Sequence, residues 1–463
     1  MIKKFFALNK KPIFLFFLML ALELAMIFVL SQKNELNLFF KGDGYQYQGM
    51  VNNLINYQVL TVNEKAPFLP TNFRTPIYPY WLALIYIIFN SFIPAIFIGA
   101  VVFAISAPLT YLIARELFSE KIAFISAILF ALEPWAVYQA GFLAAEQIFI
   151  PFLLFVIYLF CVYIKSGLAI YLYLASFFLG FTVLIRPVNL FFIFGLIFFS
   201  IIFETAKAHW NRALKVAALA IFIFSLPLIP WLIRNKIVLN SWQFSSASNI
   251  NLYFGHYAML EKYLGKISDN EDMNEKARNL IGAEKDEETM TVKNSKILGD
   301  VATKEIRSNF GPYVTMSLKM FPLFLLKNSY GNIFFDLKIP NFNIQSKIRA
   351  DFASKNFGNL PILVKNTPLS SKFLLILLFF WPIIILLTLF GIFGNLKRKP
   401  ANLLLWFLIF WILYFTVLTE LARDISRYKL AINASLFMFA VAGFYKIKNL
   451  FRFLTNSLES LCS

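Results

Sequence analysis

Cysteine and histidine are nearly missing from this chain, with two of each. Cys161 lies inside an apolar segment and Cys462 in the tail, which excludes a disulfide framework and a cysteine-based metal site. His209 and His256 are far apart and share no ligand spacing, so each reads as a surface or interfacial residue. Acid is also scarce: 25 Asp and Glu stand against 43 Lys and Arg, a formal balance of +18. Charged residues of both signs make up only 15% of the chain, too few for an ordinary soluble domain. Internal repeats and low-complexity tracts are absent.

Apolar residues fill the space instead. They make up 59% of the chain, 56 residues are Phe, and the mean hydropathy is +0.68. A bilayer core needs about 20 apolar residues per helix, fewer where helices are short or broken. Ten segments fit: 13–30, 94–113, 122–140, 145–164, 168–185, 188–203, 214–233, 373–394, 402–418 and 429–446. The first follows Lys3, Lys4, Lys10 and Lys11. It is too long for a signal-peptide core, and Leu30-Ser31-Gln32 offers no small-x-small cleavage site, so it reads as a retained anchor.

Hydropathy alone would make 76–92 an eleventh span. Counting it would reverse every later loop and put Lys397-Arg398-Lys399 outside. Leaving it out gathers the basic loops on one side: Lys3 to Lys11, Arg115 with Lys121, Lys165, Lys207 with Arg212 and Lys215, Lys397 to Lys399, and Lys446, Lys448 and Arg452. The positive-inside rule favours that solution, with both termini cytoplasmic. Segment 76–92, with two prolines and three tyrosines, is then a helix lying in the outer interface. Much of the +18 becomes topological, and no nucleic-acid partner is expected.

Three regions follow. Residues 1–233 form an N-terminal transmembrane module whose first outer loop is 31–93. Residues 234–372 form a large polar outer region, with charged runs at Asn270 to Lys276 and Glu284 to Glu288. Within it 312–327 is apolar enough to touch the membrane, but Lys319 in its middle argues against a span. Residues 373–463 hold the C-terminal transmembrane helices and a cytoplasmic tail.

Candidate chemistry sits in the outer loops. Asp43 lies between Gly42 and Gly44, where a plain turn aspartate is the competing explanation. Tyr45, Tyr47, Met50, Val51 and Leu54 follow in an amphipathic helix pattern that would pin the loop to the membrane surface. A pinned carboxylate there can act as a general base. Glu146 opens the fourth span on the same side, as a second acid or a snorkelling interfacial one. Glu133, before Pro134, is equally a helix-end feature, and Glu23 in the first span has no assigned role. Arg74, Arg186, Arg234, Arg423 and Arg427 mark outer ends of spans, against the positive-inside bias. They either pair with Glu420, Asp424 or Glu146, or surround one lipid phosphate, which guanidinium binds through two points.

The order of these elements resembles the GT-C glycosyltransferases of the protein O-mannosyltransferase and lipid A aminoarabinose transferase group. The matching pieces are Asp43 with Tyr47, then Arg74-Thr75-Pro76-Ile77-Tyr78-Pro79, then Pro134 and Glu146. Arg186-Pro187, Pro230-Trp231-Leu232-Ile233-Arg234-Asn235 and Arg427-Tyr428 follow. The likeness covers residues 1–255 and about 400–446 and little of the large outer region. Each motif alone is weak, and their order and sidedness carry the likeness. Glu146 stands where the group usually has Asp, and the prolines often found after Arg-Tyr are missing.

The resemblance implies an all-α polytopic bundle with outer juxtamembrane helices and a large outer loop region, in a plasma (inner) membrane. It implies inverting transfer of a hexose or pentose from a polyprenyl-phosphate donor to a hydroxyl acceptor outside. Asp43 and Glu146 would be the catalytic acids. Arg74, Arg234, Arg427 and Arg186 would hold the phosphate, and Tyr47 and Tyr78 would contact substrate. No nucleotide-sugar motif is present, which suits a sugar that arrives already on lipid. No cofactor is expected, because two carboxylates make a thin site for Mg or Mn. The rival readings are a transporter or flippase of lipid-linked sugars, and a cell-surface polysaccharide polymerase or ligase. The missing repeat and the gathering of charge at one interface weigh against the transporter.

Overall fold

A computed structural model describes residues 10–33, 36–63, 65–66, 68–207, 210–267, 271–283, 286–339, 365, 369–398, 402–419 and 425–462. Lys3, Lys4, His209, Lys399, Glu420, Arg423 and Asp424 lie outside the described residues. Among those described, every regular element is a helix.

Among the described residues six helices are long and apolar enough to cross a bilayer: Lys10–Lys33, Ile93–Leu117, Glu146–Ser166, Pro187–Thr205, Phe379–Leu396 and Ser426–Leu450. A seventh crossing is the pair Trp210–Ser225 and Ile229–Leu239, bent by 47°. Pro227 and Pro230 flank the bend, where ring sterics and missing N–H donors break the helical ladder. By this measure seven of the ten expected spans are found among the described residues, the bent pair counted as one. Ala169–Ile185 and Leu403–Thr419 are apolar but have 17 residues each, roughly 25 Å against a hydrocarbon core of about 30 Å. Segment 122–140 is discontinuous: Glu120–Ala131 ends, and Pro134–Gln139 starts anew. Pro134 cannot continue the ladder, and the Glu133 carboxylate caps the new helix by accepting the Ala136 N–H at 2.7 Å.

Helix Ile77–Phe89 has 13 residues, roughly 20 Å, too short to cross. Tyr78, Leu82, Ala83 and Ile85 are buried, while Tyr80, Leu84, Ile87, Ile88 and Phe89 leave an apolar face exposed.

The basic positions assigned to inner loops meet at one end of the bundle. Lys11 pairs with Glu120, Lys165 with Glu116 at 3.1 Å, and Arg212 with Glu204 at 3.2 Å. Lys121 lies over the Tyr445 ring at 5.3 Å. Helices Leu369–Arg398 and Ile425–Cys462 cross in close contact. A Cβ on Gly391 would strike the Phe439 carbonyl, and one on Gly443 the Leu387 carbonyl.

Region 234–372 is largely helical where described, from Ala247–Asn251 through Glu271–Ile281 and Val292–Ser308 to Tyr330–Asp336. Tyr253, Tyr257, Met273, Ala277, Leu298 and Ala302 are buried within it. Its apolar helix, Phe310–Leu326, is one of the shorter ones, and Lys319 there donates to the Tyr263 hydroxyl at 3.0 Å.

Candidate active site

Gly42 takes φ +64° between the turn Leu36–Phe40 and helix Asp43–Tyr57. That conformation suits glycine alone and makes Asp43 the first residue of its helix. The Leu143 N–H fixes the loop by donating to the Phe39 carbonyl at 2.9 Å. Tyr47, Met50 and Val51 face inward.

Arg74 reaches Asp43 from the loop before Ile77–Phe89. Its Nη2 meets Asp43 Oδ1 at 2.7 Å, and its Nε donates to Gln46 Oε1 at 2.7 Å. The Tyr47 ring lies under the guanidinium at 5.2 Å. Arg427 meets the other oxygen, Nη2 to Asp43 Oδ2 at 2.6 Å. The same guanidinium grips Glu146 at two points, Nη2 to Oε2 at 2.9 Å and Nε to Oε1. Arg186 Nη1 closes the chain on Glu146 Oε1, with its guanidinium 5.0 Å over the Tyr428 ring.

Arg74, Asp43, Arg427, Glu146 and Arg186 thus form one unbroken ionic chain. Three cations face two anions, which leaves a surplus of one positive charge. Both acids open helices, Asp43–Tyr57 and Glu146–Ser166, where the helix dipole favours a carboxylate. Arg186 follows the last residue of Ala169–Ile185, and Arg427 lies in the first turn of Ile425–Cys462. The chain is therefore held by the ends of four helices. Burial alone would raise the pKa of Asp43; Arg74, Arg427 and Arg186 outweigh it and hold the carboxyl well below its usual range. Burial would lower the pKa of Arg74, but Asp43 and Tyr47 together more than offset this.

Two hollows flank Arg427. One, of about 130 Å³, is lined by Lys41, Asp43, Trp135, Tyr138, Gln139 and Asn332 among others. The other is a crevice of about 10 Å³ between Glu146, Arg186 and Tyr428 and the apolar Phe149, Ile150 and Phe415.

Arg234 lies outside this chain. It donates to the Thr71 carbonyl at 2.9 Å and to Asn235 Oδ1 at 3.1 Å, over the Trp231 ring. Asn235 in turn donates to the Gln243 and Phe244 carbonyls, so this motif braces the loop leading to Arg74. Tyr47 and Tyr78 are buried and meet edge to face at 4.6 Å. Neither lines a hollow, and burial raises the pKa of Tyr47. The Glu146 pairing foreseen as a competing role for the arginines is present, within the chain that also holds Asp43. Lys41, Tyr138, Asn332 and Asp336 were not foreseen. Lys41 stands two residues before Asp43, which is a signal, whereas nothing in the sequence marks Asp336. Among the described residues no three His, Cys, Asp or Glu come together as for a metal ion.

The family described as dolichyl-phosphate-mannose-protein mannosyltransferase matches residues 73–233, which include Arg74, Glu146 and Arg186. No curated protein matches. Among solved structures, the archaeal oligosaccharyltransferase AglB from Archaeoglobus fulgidus, in complex with an inhibitory peptide and a dolichol-phosphate, is 15% identical. Its TM-score is 0.49, over 95% of this chain and 52% of that one, so this chain spans about half its length. ArnT from Cupriavidus metallidurans, bound to undecaprenyl phosphate, is 12% identical, with a TM-score of 0.37 over 92% of this chain and 77% of that one. Over residues 73–233, then, the chain is similar to that mannosyltransferase family.

Proposed function

We propose that the protein is an inverting glycosyltransferase that moves a sugar from a polyprenyl-phosphate donor to a hydroxyl acceptor on the extracytoplasmic face. The supporting observation is the ionic chain with its surplus positive charge, set between a polar hollow and an apolar crevice. Arg186 and Arg427 stand beside the apolar walls of the crevice, a combination that suits a phosphate at the head of a lipid tail, and at about 10 Å³ the crevice must open to admit one. In the transfer, the acceptor oxygen bonds to the anomeric carbon and gives its proton to Asp43. The bond from that carbon to the phosphate oxygen breaks, and its electron pair leaves with the phosphate. Arginines aimed at the leaving group stabilise the charge that grows there.

With no donor bound, Asp43 is a weak base, because its arginines depress its proton affinity. An arriving phosphate competes for Arg74 and Arg427, and so raises the basicity of Asp43 when it is needed. Arginines already meet both carboxylates, so the transfer is proposed to need no divalent cation. The basic end of the bundle is assigned to the cytoplasm of a plasma membrane, and the ionic chain to the outer side.

The test is transfer by purified protein from synthetic polyprenyl-phosphate sugars to a panel of hydroxyl acceptors, with EDTA present. Asp43→Asn keeps the shape but accepts no proton, and should lose about 10²–10⁴ in turnover while still binding donor. Near-normal transfer by this variant would leave Asp43 with a purely structural role. Activity that EDTA abolishes and Mg²⁺ restores would overturn the metal-free scheme.

A further inference from the structure

The larger hollow is lined by further charged and polar groups besides Asp43 and Arg427, which the transfer step leaves unused. Lys41 Nζ donates to the Tyr138 hydroxyl at 2.7 Å and forms an ion pair with Asp336. The Tyr138 hydroxyl also donates to Asp336. The Asp336 side chain is 4% exposed and that of Lys41 38%, so the pair is anchored at one end and open at the other. Asp336 and Asn332 lie four residues apart on helix Tyr330–Asp336, and Asn332 faces the hollow. Trp135 lines the same space, and its buried indole N–H has no partner among the described residues.

Lining separates the two hollows. The larger one combines Lys41, Gln139 and Asn332 with the rings of Trp135, Tyr138 and Phe142, while the crevice sets Arg186, Arg427 and Glu146 against apolar walls. A phosphate in the larger hollow would be repelled by the Asp43 carboxylate. A neutral ring would not, and its hydroxyls both donate and accept, as this wall requires. Trp135, Tyr138 and Phe142 add aromatic surface for the ring's apolar face. At about 10–15 Å³ per water-sized position, the space of about 130 Å³ has room for roughly ten atoms, the scale of one monosaccharide.

On the reading given under Proposed function, we propose that this hollow seats the single sugar being transferred. Lys41, held by Asp336 and Tyr138, reads its hydroxyls together with Asn332, while the phosphate stays with the arginines. A site built to hydrogen-bond a hydroxyl discriminates through the polar groups left unpaired when that hydroxyl is missing. The wall therefore sets donor specificity. It also explains why a helix of the large outer region reaches back to the mouth of the bundle.

The test measures binding to full-length protein in nanodiscs. The probes are a short polyprenyl phosphate, bare and carrying mannose, glucose, galactose or arabinose. Wild type should bind at least one sugar-bearing form tenfold or more tightly than the bare phosphate. Lys41→Met and Asn332→Ala should reduce that preference to threefold or less, with affinity for the bare phosphate kept within twofold. Asn332 is exposed, so its variant tests the idea even if Lys41→Met misfolds. Equal wild-type affinity for bare and sugar-bearing forms would overturn the proposal, as would variants that weaken both forms alike. Failure of wild type to bind the bare phosphate would instead sink the donor reading itself.

Discussion

Glu146 is fully buried, and Arg427 and Arg186 are its ionic partners. Removing one partner of such a pair leaves an uncompensated charge. Arg427→Ala should therefore destabilise the protein by about 3–5 kcal/mol, read as a lower melting temperature in detergent. Arg427→Lys should keep the charge and lose the two-point grip, so it should melt between the two. Asp43 makes a separate prediction with pH. Its folded-state pKa is depressed, so its ion pairs contribute stability fully above the unfolded value of about 3.9. That contribution is lost as pH falls from there through the lower folded value. The melting-temperature difference between wild type and Asp43→Asn should be constant above about pH 5 and shrink below about pH 4. A difference that shrinks already at pH 6 would mean that the arginines do not hold Asp43 ionised. At this scale the sequence was readable where a residue carried its own local context. Asp43 sits between glycines and ahead of an amphipathic pattern, and Arg74 stands before a Pro-rich segment. Asp336 has no such context. Its partner Lys41 is 295 positions away, and only the folded chain brings them together.

Helices were legible as helices; how far they ran was not. Segment 122–140 looks continuous because Leu132 and Trp135 keep the hydropathy high across Pro134. What makes the break stable is a satisfied buried carboxylate: Glu133 takes the Ala136 N–H and the Tyr330 hydroxyl, each at 2.7 Å. Tyr330 also accepts from the Trp381 indole at 3.0 Å. These partners are 197 and 51 residues apart in sequence, so periodicity cannot reveal them. For Ile77–Phe89 hydropathy argued for a span and charge balance against one, and its 13 residues agree with the charge balance. Close helix crossing gives a test at this scale. Gly391 faces the Phe439 backbone, which cannot swing aside as a side chain would. Gly391→Val should cost roughly 1–3 kcal/mol through overpacking and lower the melting temperature in detergent. An unchanged melting temperature would mean that the two helices part easily and that the crossing carries little of the stability.

Over the whole molecule the two ends of the bundle differ in kind. At one end, single Lys and Arg residues meet single acids or rings, as in Lys11 with Glu120 and Lys121 over Tyr445. At the other, the arginines share acids in one chain with a net surplus. Scattered pairs at a membrane surface are weak and answer chiefly to topology. A concentrated, half-buried surplus is costly unless a ligand completes it. This contrast underlies the assignment of sides, and it can be checked in intact cells. The first outer loop and the large outer region both feed the larger hollow, through Asp43 and Asn332, so they must share one side. A cysteine placed at exposed Leu280 should react with a membrane-impermeant maleimide from outside. One at Arg398, at the far end of Leu369–Arg398, should react only after the membrane is opened. Labelling of both 280 and 398 in intact cells would place an odd number of further crossings between the two sites. Helix Ile77–Phe89 lies upstream of both, so its state alone could not explain that result; the inversion would have to arise between 280 and 398. Phe310–Leu326 is the apolar segment there, and its Lys319, bonded to Tyr263, is the residue that argues against a crossing.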